Sequence, residues 1–208
     1  MKKSLSIFAA SSIVFVFFVF FSYLVHKNLF TQFDFNTTVR LQDKIPRRFD
    51  ELLSSLSLIG SFEIVTIVLL VVLIIRRKLR GIIVLLFFLG LHFFEIFGKM
   101  FVDHPGPPFM FFRYNLNFFF PSSYIQPGSS YPSGHAARTA FLSIVLLFFF
   151  MRSRKVSKIH KIMIFTAVAA FDILMFVSRA YLGEHWTSDV IGGGLLGVAA
   201  ALMGLAVF

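Results

Sequence analysis

The chain has 208 residues, of which 57% are hydrophobic and only 14% charged, with 31 Phe and no Cys. Apolar stretches near or above 18 residues recur, which excludes an ordinary soluble domain and marks membrane helices. The lack of cysteine excludes disulfides and thiolate chemistry. A formal net charge of +10 in a soluble protein would point to nucleic acid. Here the basic residues cluster beside apolar segments, and no aromatic–basic platform lies outside them. The charge therefore reads as membrane topology and anionic headgroup contact, with no nucleic-acid partner.

Six spans follow in chain order, near 5–25, 57–75, 81–98, 134–151, 162–180 and 189–208. About 20 residues cross about 30 Å of hydrocarbon. The first span follows Met1-Lys2-Lys3 and lacks a small-residue cleavage site, so it reads as an uncleaved anchor. Lys2 and Lys3, then Arg76, Arg77, Lys78 and Arg80, then Arg152, Arg154, Lys155, Lys158 and Lys161, fall on one side of a six-span chain. The positive-inside rule makes that side cytoplasmic. The loops near 27–56 and 99–133 and the turn near 181–188 then face outward. The first of these mixes charges (Asp34, Arg40, Asp43, Lys44, Arg47, Arg48, Asp50, Glu51) and predicts a helix along the membrane surface. The phenylalanine runs read as lipid-facing filler. There is no internal repeat and no linker, so residues 1–208 are expected to form one membrane-embedded domain: all-α, a six-helix bundle with its site at the outer face.

Three polar clusters share that face. In "SRAYLGEHWTSD", His185 and Asp189 stand four apart, on one face if a helix begins near His185. A carboxylate holding one ring nitrogen as N–H leaves the other free as nucleophile or base. The competing reading makes Asp189 a helix cap and His185 an interfacial residue. In "YPSGH", Ser133 is a good N-cap for the fourth span. The N–H groups of Gly134 and His135 would then favour an anion, or the motif is a capped helix start and nothing more. In "KMFVDHPGPPF", Lys99 can donate to a phosphate or simply snorkel to the interface. His104 reads as structural or as a peripheral anion contact.

These motifs resemble the type 2 phosphatidic acid phosphatase superfamily, in its membrane lipid phosphatase branch. Ser178, Arg179, His185 and Asp189 match its S-R-x5-H-x3-D motif in full, and Pro132, Ser133, Gly134 and His135 match P-S-G-H. In K-x6-R-P, Lys99 and Pro107 fit, but Gly106 stands where the family has arginine. Arg113 or Arg138 could supply that guanidinium, with His104 compensating in part.

The resemblance implies metal-independent, cofactor-free hydrolysis of a lipid phosphate or diphosphate, such as undecaprenyl diphosphate or phosphatidic acid, in a bacterial plasma membrane. It implies His185 as the nucleophile forming a phosphohistidine, Asp189 as its orienting partner and His135 as acid then base. It gives Lys99, Ser133, Gly134 and Arg179 the phosphoryl oxygens. Two alternatives remain open: lipid phosphotransfer, or a degenerate member that binds or transports lipid phosphates without turnover. The partners expected are the lipid substrate and the bilayer; nothing in the sequence sets an oligomeric state.

Overall fold

The computed structural model describes residues 2–76, 81–116, 118, 120 and 128–207. Arg77, Lys78 and Arg80 of the second basic loop lie outside the described residues. Among the described residues eight α-helices run in the order α1 (Lys2–His26), α2 (Thr31–Lys44), α3 (Asp50–Leu58), α4 (Phe62–Arg76), α5 (Gly81–Phe101), α6 (Gly134–Arg152), α7 (Lys158–Tyr181) and α8 (Thr187–Val207). The fold is all-α, as the long apolar runs predict.

Helices α1, α5, α6, α7 and α8 are each long and apolar enough to cross a membrane. The expected second span is broken. It divides into α3 and α4 across a 45° bend, and α4 alone, at 15 residues, extends only about 22 Å. The break falls at Ile59–Ser61, where Gly60 interrupts the run. The bend frees the Gly60 carbonyl, which accepts a bond from Arg138 Nε at 3.1 Å. With the bent pair taken as one span, the described residues hold six.

The expected helix in the first loop is present as α2, but its pattern is inverted. Phe33 and Phe35 are exposed, whereas Asp34 and Thr38 are buried. Asp34 accounts for this, since its carboxylate accepts from the Ser188 backbone N–H at 2.8 Å and the Ser188 hydroxyl at 2.6 Å. Further along α2, the Gln42 amide donates to the carbonyls of Phe111 and Tyr181 at 2.6 and 2.8 Å. The helix is fastened to the polar end of the bundle by hydrogen bonds.

Helix α8 is the hub, packing most extensively on α1 and α6. Small residues make this possible, because within a bilayer close packing replaces the hydrophobic drive between helices. A Cβ on Gly193 would lie 2.2 Å from the Ser133 carbonyl oxygen, and one on Gly197 2.1 Å from that of Ala137. Ser11 of α1 donates to the Ala199 carbonyl at 2.8 Å. The outward faces carry exposed Phe17, Phe20, Phe93, Phe97 and Phe165, the lipid-facing filler that composition predicts. An apolar cavity of about 490 Å³ lies between α1, α5 and α8, lined by Phe15, Leu86, Phe94, Leu196, Ala200 and Met203 among others.

The α6–α8 contact predicts a sharp contrast between two glycines. Gly197→Leu drives a side chain into backbone and should destabilise the protein by roughly 1–3 kcal/mol or abolish its folding. A Cβ added at Gly90 would meet no described residue within 4 Å, so Gly90→Ala should be neutral or stabilising by up to about 1 kcal/mol. Thermal unfolding of both variants in detergent checks this.

Candidate active site

The polar ends of α5, α6, α7 and α8 converge. Lys99 lies in the last turn of α5, Gly134 and His135 open α6, Arg179 lies in the last turn of α7, and Asp189 is in the first turn of α8. The turn between α7 and α8 folds back on itself, with the backbone N–H groups of Glu184 and His185 both donating to the Arg179 carbonyl at 3.3 Å. The Ser133 N–H donates to the Asp189 carbonyl at 2.9 Å, which pins the start of α6 to the start of α8. Lys99 is within electrostatic reach of Glu95, Asp189, Arg138 and Arg179.

Asp189 is fully buried and saturated. Its Oδ2 accepts from Ser130 Oγ at 2.7 Å and from the Trp186 backbone N–H at 2.8 Å. The second of these is the reach-back of a third helical residue to the helix start, so capping and site architecture coexist in one side chain. Its Oδ1 faces His104 Nδ1 at 2.8 Å. His185 Nδ1 stands 3.5 Å from Oδ2 and has no hydrogen-bond partner, so the contact falls short of a hydrogen bond. The expected His185–Asp189 pairing is thus close but loose, and His104 holds the tighter place.

His104, expected to be structural or a peripheral anion contact, is 5% exposed. Its Nε2 lies 3.8 Å from Asp34 Oδ2, so the imidazole bridges the carboxylates of α2 and α8. Burial disfavours charging it, but Asp189, Asp34 and Asp103 outweigh that and raise its pKa above the ordinary histidine value. His185 shows the opposite balance. Burial, against the pull of Asp189, pushes its pKa down to about 4. It is therefore a neutral imidazole at neutral pH, the form a nucleophile needs.

Arg179 forms a buried ion pair with Glu184 and donates to Ser57 Oγ, and its Nε has no partner. Burial raises the Glu184 pKa against the opposing pull of Arg179. Ser133 occupies the N-cap position of α6, as expected, but its side chain makes no capping bond. Its hydroxyl is fully buried and unpartnered. Among the described residues no group of three or more His, Asp or Glu side chains is arranged to hold a metal ion.

The two candidate replacements for the arginine absent at Gly106 are placed very differently. Arg113 does not join the cluster. Its guanidinium donates to the Gln42 carbonyl at 3.1 Å and to the Tyr181 hydroxyl at 3.3 Å, and its own N–H binds the Leu182 carbonyl at 2.9 Å. It fastens the loop after α5 to α2 and α7. Arg138 is 7% exposed and pairs with Glu95 at 3.0 Å, beside Gly134. Sequence motifs missed Glu95, Asp34, Ser130 and Glu184. A carboxylate within the apolar run of α5 was the available signal for Glu95, because ionisable groups at membrane depth face a partner or a site.

Residues 80–208 match the family described as PAP2 superfamily, and the chain belongs to that superfamily. Phosphatidylglycerophosphatase B of Bacillus subtilis is 35% identical over 69 residues, 33% of this chain and 34% of that protein. The chain thus matches about a third of the length of that curated relative. The crystal structure of the first transmembrane PAP2 type phosphatidylglycerolphosphate phosphatase from Bacillus subtilis superposes with a TM-score of 0.74 at 22% identity, covering 99% of this chain and 94% of that one. The crystal structure of Aquifex aeolicus LpxE gives 0.62 at 21% identity, over 83% and 94% respectively. Both show the same fold, and with the apolar helices they make this an integral membrane protein.

The His104 bridge carries a pH signature. A histidine whose folded pKa lies above its unfolded value stabilises the fold fully below about pH 6.5, and that stability is lost as pH rises through the folded pKa. The melting temperature should therefore fall as pH rises above about 6.5. His104→Gln should flatten that fall. An equal slope in both proteins contradicts the bridge.

Proposed function

We propose that the protein hydrolyses a lipid phosphate or diphosphate by double displacement through a phosphohistidine. The observation that carries this is the convergence of a neutral His185, its Nδ1 without a hydrogen-bond partner, with His135, Lys99 and Arg179 at the start of α6. That is a nucleophile, a second histidine and fixed cations around an anion-favouring helix terminus. Membership of the PAP2 superfamily and the activities for which the relatives are named support it.

In this reading His185 attacks phosphorus in line. The bond from phosphorus to the lipid oxygen breaks as His135 gives that oxygen a proton. Water then attacks the phosphorus of the phosphohistidine, and His135 takes its proton, which releases inorganic phosphate and restores both histidines. Lys99, Arg179, Ser133 and the N–H of Gly134 stabilise charge on the equatorial oxygens. The Asp189 carboxylate balances the positive charge that develops on the His185 ring. Its present 3.5 Å separation is of the loose kind that tightens when substrate binds.

The lipid tail would lie between the helices, and the cavity between α1, α5 and α8 offers apolar room. Phosphatidylglycerophosphate, the substrate named for the Bacillus relatives, joins phosphatidic acid and undecaprenyl diphosphate as candidates. The lysines and arginines between α6 and α7 favour a cytoplasmic position for that loop and hence an outward-facing site.

One experiment tests activity and sidedness together. Right-side-out vesicles bearing the protein receive an impermeant short-chain phosphatidylglycerophosphate in EDTA. Phosphate release should be equal before and after detergent opening. Release only after opening contradicts the outward site. A phosphorylated acceptor without free phosphate makes the protein a phosphotransferase, and no turnover of any lipid phosphate removes the enzymatic reading.

A further inference from the structure

Glu95 lies one helical turn before Lys99 on α5, and none of the sequence motifs includes it. Its side chain crosses to the first residue of α6. A Cβ on Gly134 would stand 1.9 Å from Glu95 Oε1, 2.5 Å from its carboxyl carbon and 2.7 Å from Arg138 Nη1. The absent side chain at Gly134 is thus what admits a carboxylate and a guanidinium to the end of the helix. Glu95 Oε2 accepts from Arg138 Nη1 at 3.0 Å, while Arg138 Nε is anchored on the Gly60 carbonyl.

A helix N-terminus attracts an anion, and here the protein's own carboxylate sits beside it. Ser133 Oγ, fully buried at the same terminus, has no partner. We propose that Arg138 is a further phosphoryl ligand of this site and that Glu95 is its resident counter-ion, displaced from the seat when the substrate's phosphoryl group arrives. The proposal rests on the reading given under Proposed function in taking the incoming anion to be a substrate's phosphoryl group.

The physical case has three parts. A guanidinium as buried as Arg138 needs a partner in the empty site, because an uncompensated buried charge is strongly destabilising. A phosphoryl group offers that guanidinium two oxygens and more charge than a carboxylate does, so it competes well for the planar fork. Two anions cannot share the seat without repulsion, and the Glu95 side chain is the less buried of the pair, 12% exposed against 8% for Arg138. Arg138 also relates the site to the departure at Gly106. Among the described residues a Cβ on Gly106 would meet only Ser130, at 3.5 Å and beyond, so no described neighbour imposes glycine there. The guanidinium that the resembled motif carries at that position is supplied instead from α6, one turn after Gly134.

The test is calorimetric binding of orthovanadate to the purified full-length protein in detergent, with a cooperative melt required of each variant. Glu95→Gln keeps the shape and removes the competing charge, and should bind vanadate about 5-fold or more tighter than the natural chain. Glu95→Gln/Arg138→Gln differs from it only in the guanidinium, and should bind about 10-fold or more weaker than Glu95→Gln. Should the glutamine variant not fold, Glu95→Met, alone and with Arg138→Gln, gives the same two comparisons. Unchanged or weaker binding on loss of the Glu95 charge overturns the counter-ion role. Equal binding by the single and double variants overturns the ligand role of Arg138, and no vanadate binding by any of the proteins overturns both. If the contrasts hold while the natural chain releases no phosphate from any lipid phosphate, it is the reading as a hydrolase that fails and the displaceable pair that stands.

Discussion

The site depends on two backbones touching. Helices α6 and α8 meet where Gly193 faces the Ser133 carbonyl and Gly197 faces that of Ala137, with no side chain between them. This contact brings the start of α6, which carries Gly134 and His135, against the start of α8, which carries Asp189 and follows His185. The Ser133 N–H bond to the Asp189 carbonyl is possible only at that separation. In a bilayer, where lipid is as apolar as the helix surface, such small-residue packing is the available source of close and specific association. The chemistry proposed for the site is thus downstream of a steric choice made one and two turns deeper.

The second constraint is charge. The cluster gathers Lys99, Arg138 and Arg179 at a place where burial makes each costly, and each has a carboxylate within reach: Glu95 for Lys99 and Arg138, Glu184 for Arg179. Breaking such a pair by removing one partner strands a buried charge, whereas exchanging one anion for another does not. A site built from neutralised cations can therefore stay folded when empty and still present positive charge to a phosphoryl group. Asp189 follows a different logic. It is held by Ser130, the Trp186 N–H and His104, so its position is set by the loop after α5 and the turn before α8. His185 approaches a carboxylate already fixed in place.

Much of this is legible in the sequence. The apolar runs mark five of the six spans to within four residues at each end, because a membrane helix must satisfy its backbone internally and so announces itself by length. The motifs give His135, His185, Asp189, Lys99 and Arg179 a common end of the bundle, because alternation of spans fixes which termini meet. The broken second span is hidden, since Gly60 is a single residue in a hydrophobic run and its role depends on Arg138, far along the chain. The choice between Arg113 and Arg138 is equally out of reach, because local sequence does not say that Gln42 and Tyr181 occupy the first. The central place of His104 is hidden for the same reason. Its partners, Asp34 and Asp189, are 70 and 85 positions away, and only the docking of α2 against α8 brings them to one imidazole.

The central claim is that His185 is the group that attacks phosphorus while His135 serves the leaving oxygen and then water. Rapid quenching of the His135→Ala protein with an activated aryl phosphate tests it most directly, because a good leaving group needs little protonation. Mapping of the quenched protein by mass spectrometry is predicted to show one acid-labile, base-stable phosphoryl group on His185. The His185→Ala protein treated in the same way is predicted to carry none. Label on any other residue, or label retained after His185 is removed, contradicts the account.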